Sequence, residues 1–273
     1  LAGSSAASDV YKRQVHGGAG VGKSLVIDVC KQWVDTISRC SGDDPDEPYV
    51  LPCSYTGKAA VNIDGDTLHG LFILKFGNKW IALGDKARSK LIKSYRNLIL
   101  LLVDEVSMVS ADILYYLDRR LREVKDEQNK PFGGVAVVLV GDLAQMRPVK
   151  GSTVFSMPKE KMYHKLYKSV PLWQSCEVIN LVRNHRQAGD KEYADLLNEV
   201  RLGKLSDANL AILSSRVRPI NDPDIPVNAL FCVSNNYEIQ QVHHSRIQSL
   251  SRDVVFHESN ARHFCEGVRN FRP

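Results

Sequence analysis

The stretch Gly17-Gly18-Ala19-Gly20-Val21-Gly22-Lys23-Ser24 constrains this chain more than any other. It fits the pattern G-x-x-x-x-G-K-[ST] at every fixed position. Glycines at these places let the backbone wrap a polyphosphate with several N–H groups pointing inward. Lys23 supplies a point charge for the β- and γ-phosphates, and Ser24 offers a hydroxyl to Mg²⁺. Leu25 to Cys30 reads as a helix whose N-terminus faces the anion. The competing reading is a glycine-rich turn that binds nothing. The full match and the helix that follows weigh against it. A loop of this kind joins a strand to a helix, so the expected fold is α/β: a phosphate-loop sheet of parallel strands flanked by helices.

The rest of the chain agrees with a parallel sheet. Leu98 to Val103 is a continuous apolar run, as expected of a strand buried on both faces, and it ends in Asp104-Glu105. Val135 to Val140 is a second such run, ending in Gly141-Asp142 and then Gln145. Between them Ser110 caps a helix with Ile113, Leu114, Leu117, Leu121 and Val124 at helical spacing, a core face. Tyr49 to Ser54 reads as a strand weakened by Pro52, and Glu177 to Leu181 as a further one. The helix after the phosphate loop runs to about Arg39, with Leu25, Val29, Trp33 and Ile37 on one face. A helix over Lys191 to Leu202 stops at Gly203. Ser206 caps another, to about Ser215. Ala229 to Val233 reads as a strand, and Asn236 to Leu250 as a helix.

Composition adds exclusions. No apolar run approaches the ~20 residues needed to span a bilayer. The six cysteines are scattered without C-x-x-C spacing, which disfavours a zinc site or disulfide scaffold and fits a reducing compartment. The net charge of +5 permits nucleic acid as a partner without demanding it.

Sites in such sheets lie beyond the carboxyl ends of the strands. There Asp104 can hold Mg²⁺ through its water shell, and Glu105 can accept a proton from water attacking a γ-phosphate. Gln145 can orient that water or sense the γ-phosphate, and Arg186 can reach it as arginine fingers do. Each of the last two, taken alone, also reads as an ordinary surface residue or salt-bridge partner.

The ordered blocks GGAGVGKS, TGKAA, GDTLH, VDEVSM, GDLAQMRPV, LVRNHRQ and NEVRLG, over about Val15 to Val242, resemble a superfamily-1 helicase. More narrowly they resemble the petite-integration-frequency family of 5′-to-3′ DNA helicases, relatives of RecD. The resemblance implies a RecA-like motor fold that uses ATP and Mg²⁺. Its implied motor residues are Lys23, Ser24, Asp104, Glu105, Gln145 and Arg186, with Gly17 to Ser24 around the nucleotide. Thr56, Gly57, Lys58, Thr67 and His69 are implied to line the path of single-stranded DNA. Hydroxyls, backbone N–H groups and a lysine hold phosphates without reading sequence, and His69 or Phe72 can stack on a base. Single-stranded DNA and duplex junctions are the implied partners, with a monomer acting inside the cell, in nucleus, mitochondrion or cytoplasm. Repair, recombination and telomere maintenance all use such motors, and the fold does not choose among them.

The chain departs from the family's pattern in several places. Ser54-Tyr55 stand where Ala-Pro is usual, and Met146-Arg147-Pro148 where Leu-Pro-Pro is usual. Ser4 to Gln14 resembles a translated sequencing adapter, so residues 1–14 are expected to be a non-native leader. The strand entering the phosphate loop is then reduced to Val15-His16. The expected domains are a motor domain over 15–175 and the incomplete start of a second over 176–273. Two other readings stay open: a phosphate-loop ATPase or kinase not acting on nucleic acid, and a non-catalytic nucleotide-binding remnant of a mobile-element helicase.

Overall fold

The computed structural model describes residues 10–40, 42–44, 47–75, 80–149, 151–159, 172–187, 189–219, 222–226, 229–233 and 235–249. The chain divides into two compact units, Leu1–Leu210 and Ala211–Pro273. The first is built on a sheet of six strands: β1 Lys12–His16, β2 Val50–Ser54, β3 Asp66–Thr67, β4 Leu100–Asp104, β5 Ala136–Gly141 and β6 Glu177–Asn180. Their order is β3-β2-β4-β5-β1-β6, and every pairing is parallel. This is the RecA-like phosphate-loop architecture, with helices on both faces.

β4 is buried along its whole length, as its apolar run requires. Its residues alternate between the two faces. Leu101 and Val103 enter one core with Val137 and Leu139 of β5, while Leu100 and Leu102 enter the other with Val15 and Val140. Helix α5 (Ala111–Lys125) covers the first face. Ile113, Leu114, Leu117, Leu121 and Val124 are all buried there, and the Ser110 hydroxyl accepts from the Ile113 N–H at 3.2 Å. Helix α1 (Lys23–Ser38) packs on the second face through Ile27, with Cys30 and Val34 beside it.

Pro52 is accommodated by where β3 begins. The Pro52 carbonyl faces Gly65, and β3 pairs with β2 only at Cys53 and Ser54. A residue's N–H and C=O leave a strand on the same side. The donor that proline lacks therefore falls before the β3 ladder starts.

Four features of the fold bear on the sequence reading. β1 begins at Lys12, so Lys12, Arg13 and Gln14 of the expected leader pair in register with Val137, Val138 and Leu139. Gln14 is buried, its Nε2 donating to the Trp173 carbonyl. The sheet also continues past residue 175, because β6 pairs with β1 over Arg13–His16. The α1 face carrying Leu25, Val29, Trp33 and Ile37 points outward, each residue more than half exposed. Finally, Ala229–Val233 in the second unit is not a strand. No strand pairs with it among the described residues, and a lone strand leaves its backbone groups without partners. That unit does contain the helix Asn236–Ser249.

Candidate active site

β1 feeds directly into the phosphate loop, tied to the end of β5 by the Gly17 N–H donating to the Gly141 carbonyl at 3.3 Å. Gly22, the residue before α1, has φ +93°, a left-handed conformation that a side chain resists. The first turn of α1 has no side-chain cap, so its N–H groups stay available to an anion. Lys23 Nζ donates to the carbonyls of Gly17 (2.9 Å) and Gly18 (2.7 Å). Burial lowers the pKa of this ammonium, while the carboxylates of Asp142, Glu105 and Asp104 oppose that shift. The lysine of the loop therefore lies within electrostatic reach of the acids at the ends of two neighbouring strands.

Asp104 closes β4 and is buried; the Ser54 hydroxyl donates to its backbone carbonyl at 3.2 Å. Glu105 takes a left-handed backbone (φ 52°, ψ 43°), which non-glycine residues seldom adopt and which recurs where a side chain must be aimed. Burial raises the pKa of both acids. For Glu105 the neighbouring Asp104 raises it further, and Lys23 acts against the rise in each.

Beyond β5, Asp142 organises the turn that carries Gln145. Its carboxylate accepts from the Ala144 N–H (3.1 Å) and from Gln145 Nε2 (3.3 Å). Arg201, on the helix Lys191–Leu202, grips the same carboxylate through Nε (3.0 Å) and Nη2 (2.5 Å). Burial works against a charge on Asp142, but Arg201 and the Ala144 and Gln145 donors outweigh it and hold the carboxyl below its ordinary range.

Arg186 is placed by its backbone. The His185 N–H donates to the Gly20 carbonyl at 2.8 Å, and the Arg186 N–H donates to Asn184 Oδ1 at 2.9 Å. A Cβ on Gly20, where φ is +75°, would come within 2.4 Å of Arg186 Cβ. The loop bearing Arg186 thus lies directly on the phosphate loop, with its side chain exposed.

The strand-contact candidates sit at the same carboxyl edge, past β2 and β3. Thr56 caps the helix α2 (Gly57–Asn62), accepting from the Ala59 N–H at 3.4 Å. Gly57 and Lys58 are exposed on its first turn. Thr67 caps α3 (Leu68–Phe72), accepting from the Gly70 N–H at 3.2 Å. His69 is 7% exposed, its ring edge-on to Tyr55, and burial lowers its pKa. Phe72 is fully buried against Tyr95, so it does not offer a face for base stacking.

Lys23, Ser24, Asp104, Glu105, Gln145 and Arg186 thus all lie at or just beyond the carboxyl ends of strands, along one edge of one sheet. Sequence reasoning missed the pairing of Asp142 with Arg201. Asp142 was visible as a strand-terminal acid, but nothing in the spacing links it to a residue 59 positions later.

A family model described as PIF1-like helicase matches residues 8–211. The chain belongs to the PIF1-like helicase family. Among curated relatives it is 29% identical over 248 residues to the ATP-dependent DNA helicase PIF1 of Saccharomyces cerevisiae, covering 87% of this chain and 26% of that one. The chain thus spans about a quarter of that relative's length. Among solved structures, the Candida albicans Pif1 helicase superposes with a TM-score of 0.69 at 25% identity, over 96% of this chain and 58% of that one. A Bacteroides Pif1 bound to ssDNA gives 0.62 at 25%, over 89% and 54%.

Proposed function

We propose that this chain forms the nucleotide-binding core of an ATP-dependent 5′-to-3′ DNA helicase, which converts ATP hydrolysis into movement along single-stranded DNA. The phosphate loop after β1 and the acids at the end of β4 lie along one edge of the sheet, with Lys23 within electrostatic reach of Asp104 and Glu105, and this supports the reading. Lys23 uses two of its three donors on loop carbonyls. A bound triphosphate would take them over, its β- and γ-oxygens replacing those carbonyls.

Ser24 and Asp104 are the residues that would hold Mg²⁺. One hydroxyl and one buried carboxylate fit an ion that keeps several waters and shares the phosphates. When bound, the ion would neutralise charge on the phosphates. Glu105, next along the chain, accepts the proton of the attacking water. Gln145 orients that water, and Arg186 reaches toward the γ-phosphate from the loop seated on Gly20. Thr56, Gly57, Lys58, Thr67 and His69 form the strand-binding edge, with Lys58 and backbone N–H groups meeting phosphates. Since the hydroxyls of Thr56 and Thr67 cap helices and His69 is buried, those three shape this edge more than they reach out from it. The Bacteroides relative bound to ssDNA supports DNA as the track. The first motor lobe takes in β6 and so runs beyond residue 175, with 15–175 as its centre and the second lobe opening within 176–273.

ATP turnover by the wild-type chain and by Glu105→Gln, with and without single-stranded DNA, tests this. The expected result is turnover accelerated by DNA and reduced at least ~10²-fold in the variant, with ATP binding kept. Turnover indifferent to DNA indicates a phosphate-loop ATPase with another substrate. Binding without turnover in the wild type indicates a non-catalytic remnant.

A further inference from the structure

Arg201 lies outside the groups that touch the phosphates or the water in the scheme above, yet it grips the buried Asp142 with two nitrogens, at 3.0 and 2.5 Å. Asp142 is 1% exposed, and its two oxygens are shared among Arg201, the Ala144 N–H and the Gln145 amide. A bidentate guanidinium fixes a carboxylate in both position and plane, which a single ammonium cannot do. The Gln145 N–H also donates to the Asp142 carbonyl at 3.0 Å, so both backbone and side chain of Gln145 hang from Asp142. Arg201 therefore acts on Gln145 through one intermediate.

Its position is also informative. Arg201 Nε would lie 4.0 Å from a Cβ placed on Gly18 of the phosphate loop. Its helix begins just after the loop that carries Arg186. Asp142 and Arg201 also act on Lys23 with opposite signs, the one favouring its charge and the other opposing it. The pair thus ties three parts together: the end of β5, the phosphate loop and the helix that follows Arg186.

We infer that Arg201 is a positioning residue for γ-phosphate recognition: by clamping Asp142 it holds Gln145 where it distinguishes a triphosphate from a diphosphate. This rests on the nucleotide site proposed above and adds to it a group that contacts no reacting atom. Because the clamp sits on the helix after Arg186, it also gives that helix a direct mechanical link to the state of the nucleotide.

The test is a fluorescence titration of the full chain with ADP and with ATPγS, alongside thermal unfolding. Arg201→Gln is expected to weaken ATPγS about tenfold while ADP stays within about twofold. Arg201→Lys keeps the charge but not the fork and should recover part of the loss. Asp142→Asn should match Arg201→Gln, and the double variant should be no worse than either single one, as befits two members of one unit. Unchanged ATPγS affinity in Arg201→Gln overturns the inference and leaves the nucleotide site standing. Equal weakening of ADP and ATPγS also overturns it, since that is the mark of general damage to the pocket. Additive losses in the double variant overturn it too. A wild-type chain that binds neither nucleotide sinks the nucleotide site and the inference together.

Discussion

Glu105 shows how a single residue is tuned by its surroundings. Its backbone is held left-handed, and burial together with the Asp104 charge raises its pKa against the pull of Lys23. A base must be unprotonated to work. Turnover should therefore be full at neutral pH and fall as pH drops through a value above the ordinary glutamate pKa of about 4.3. Asp104 is raised as well, so the limb belongs to the pair of acids. A pH–kcat profile checks this, and an acid limb at or below the ordinary value would contradict it. Asp142 works in the opposite direction. Its carboxyl is held low in the folded chain, so its contribution to stability is full above the unfolded pKa and lost as pH falls through the lowered one.

At the scale of elements, helix α5 does more than cover the sheet. Asp118, fully buried on it, accepts from Arg122 Nε at 2.8 Å and from the Phe132 N–H at 2.6 Å. Phe132 has φ 52°, so the turn that launches β5 is held in a conformation a phenylalanine would not choose alone. Asp118→Ala leaves a buried guanidinium without its carboxylate and frees that turn. It should cost about 3–5 kcal/mol in urea unfolding. Arg120, on the same helix, is 1% exposed. It donates to the carbonyls of Phe72 (3.1 Å) and Ile81 (2.8 Å) and lies over the Trp80 ring. These ties fasten the segment after α3 to α5. Neither is readable from spacing, because an arginine between apolar helix positions looks like a surface residue until its partners are known.

At the scale of the whole molecule, the first compact unit carries a row of exposed apolar side chains. Leu25, Val29, Trp33 and Ile37 line the outer side of α1, with Trp33 at 65% exposed. Side chains this exposed add little to folding, so Trp33→Lys should change the free energy of urea unfolding by less than about 0.5 kcal/mol. A loss of several kcal/mol would show that the row is buried. Among the described residues no helix is long and apolar enough to cross a membrane, and the cysteines at 30, 40, 53, 176 and 232 are free.

The sequence alone determined the parallel sheet, the helix that follows the phosphate loop, the core face of α5 and the set of loops that carry the candidate site. Each follows from short-range rules: the glycine pattern, apolar runs with acids at their ends, and helical spacing behind a capping serine. Tertiary structure decided what those rules leave open. Helix α1 has two apolar arcs, Leu25-Val29-Trp33-Ile37 and Ile27-Cys30-Val34, and only docking against the sheet determined which faces inward. β6 joined the sheet because its backbone found a partner in β1, a pairing between residues more than 150 positions apart. Phe72 went into the core by packing against Tyr95, from a later segment of the chain. The clamp of Arg201 on Asp142 likewise needed two distant segments to meet, since a charge pair depends on distance in space and spacing along a chain carries no record of it.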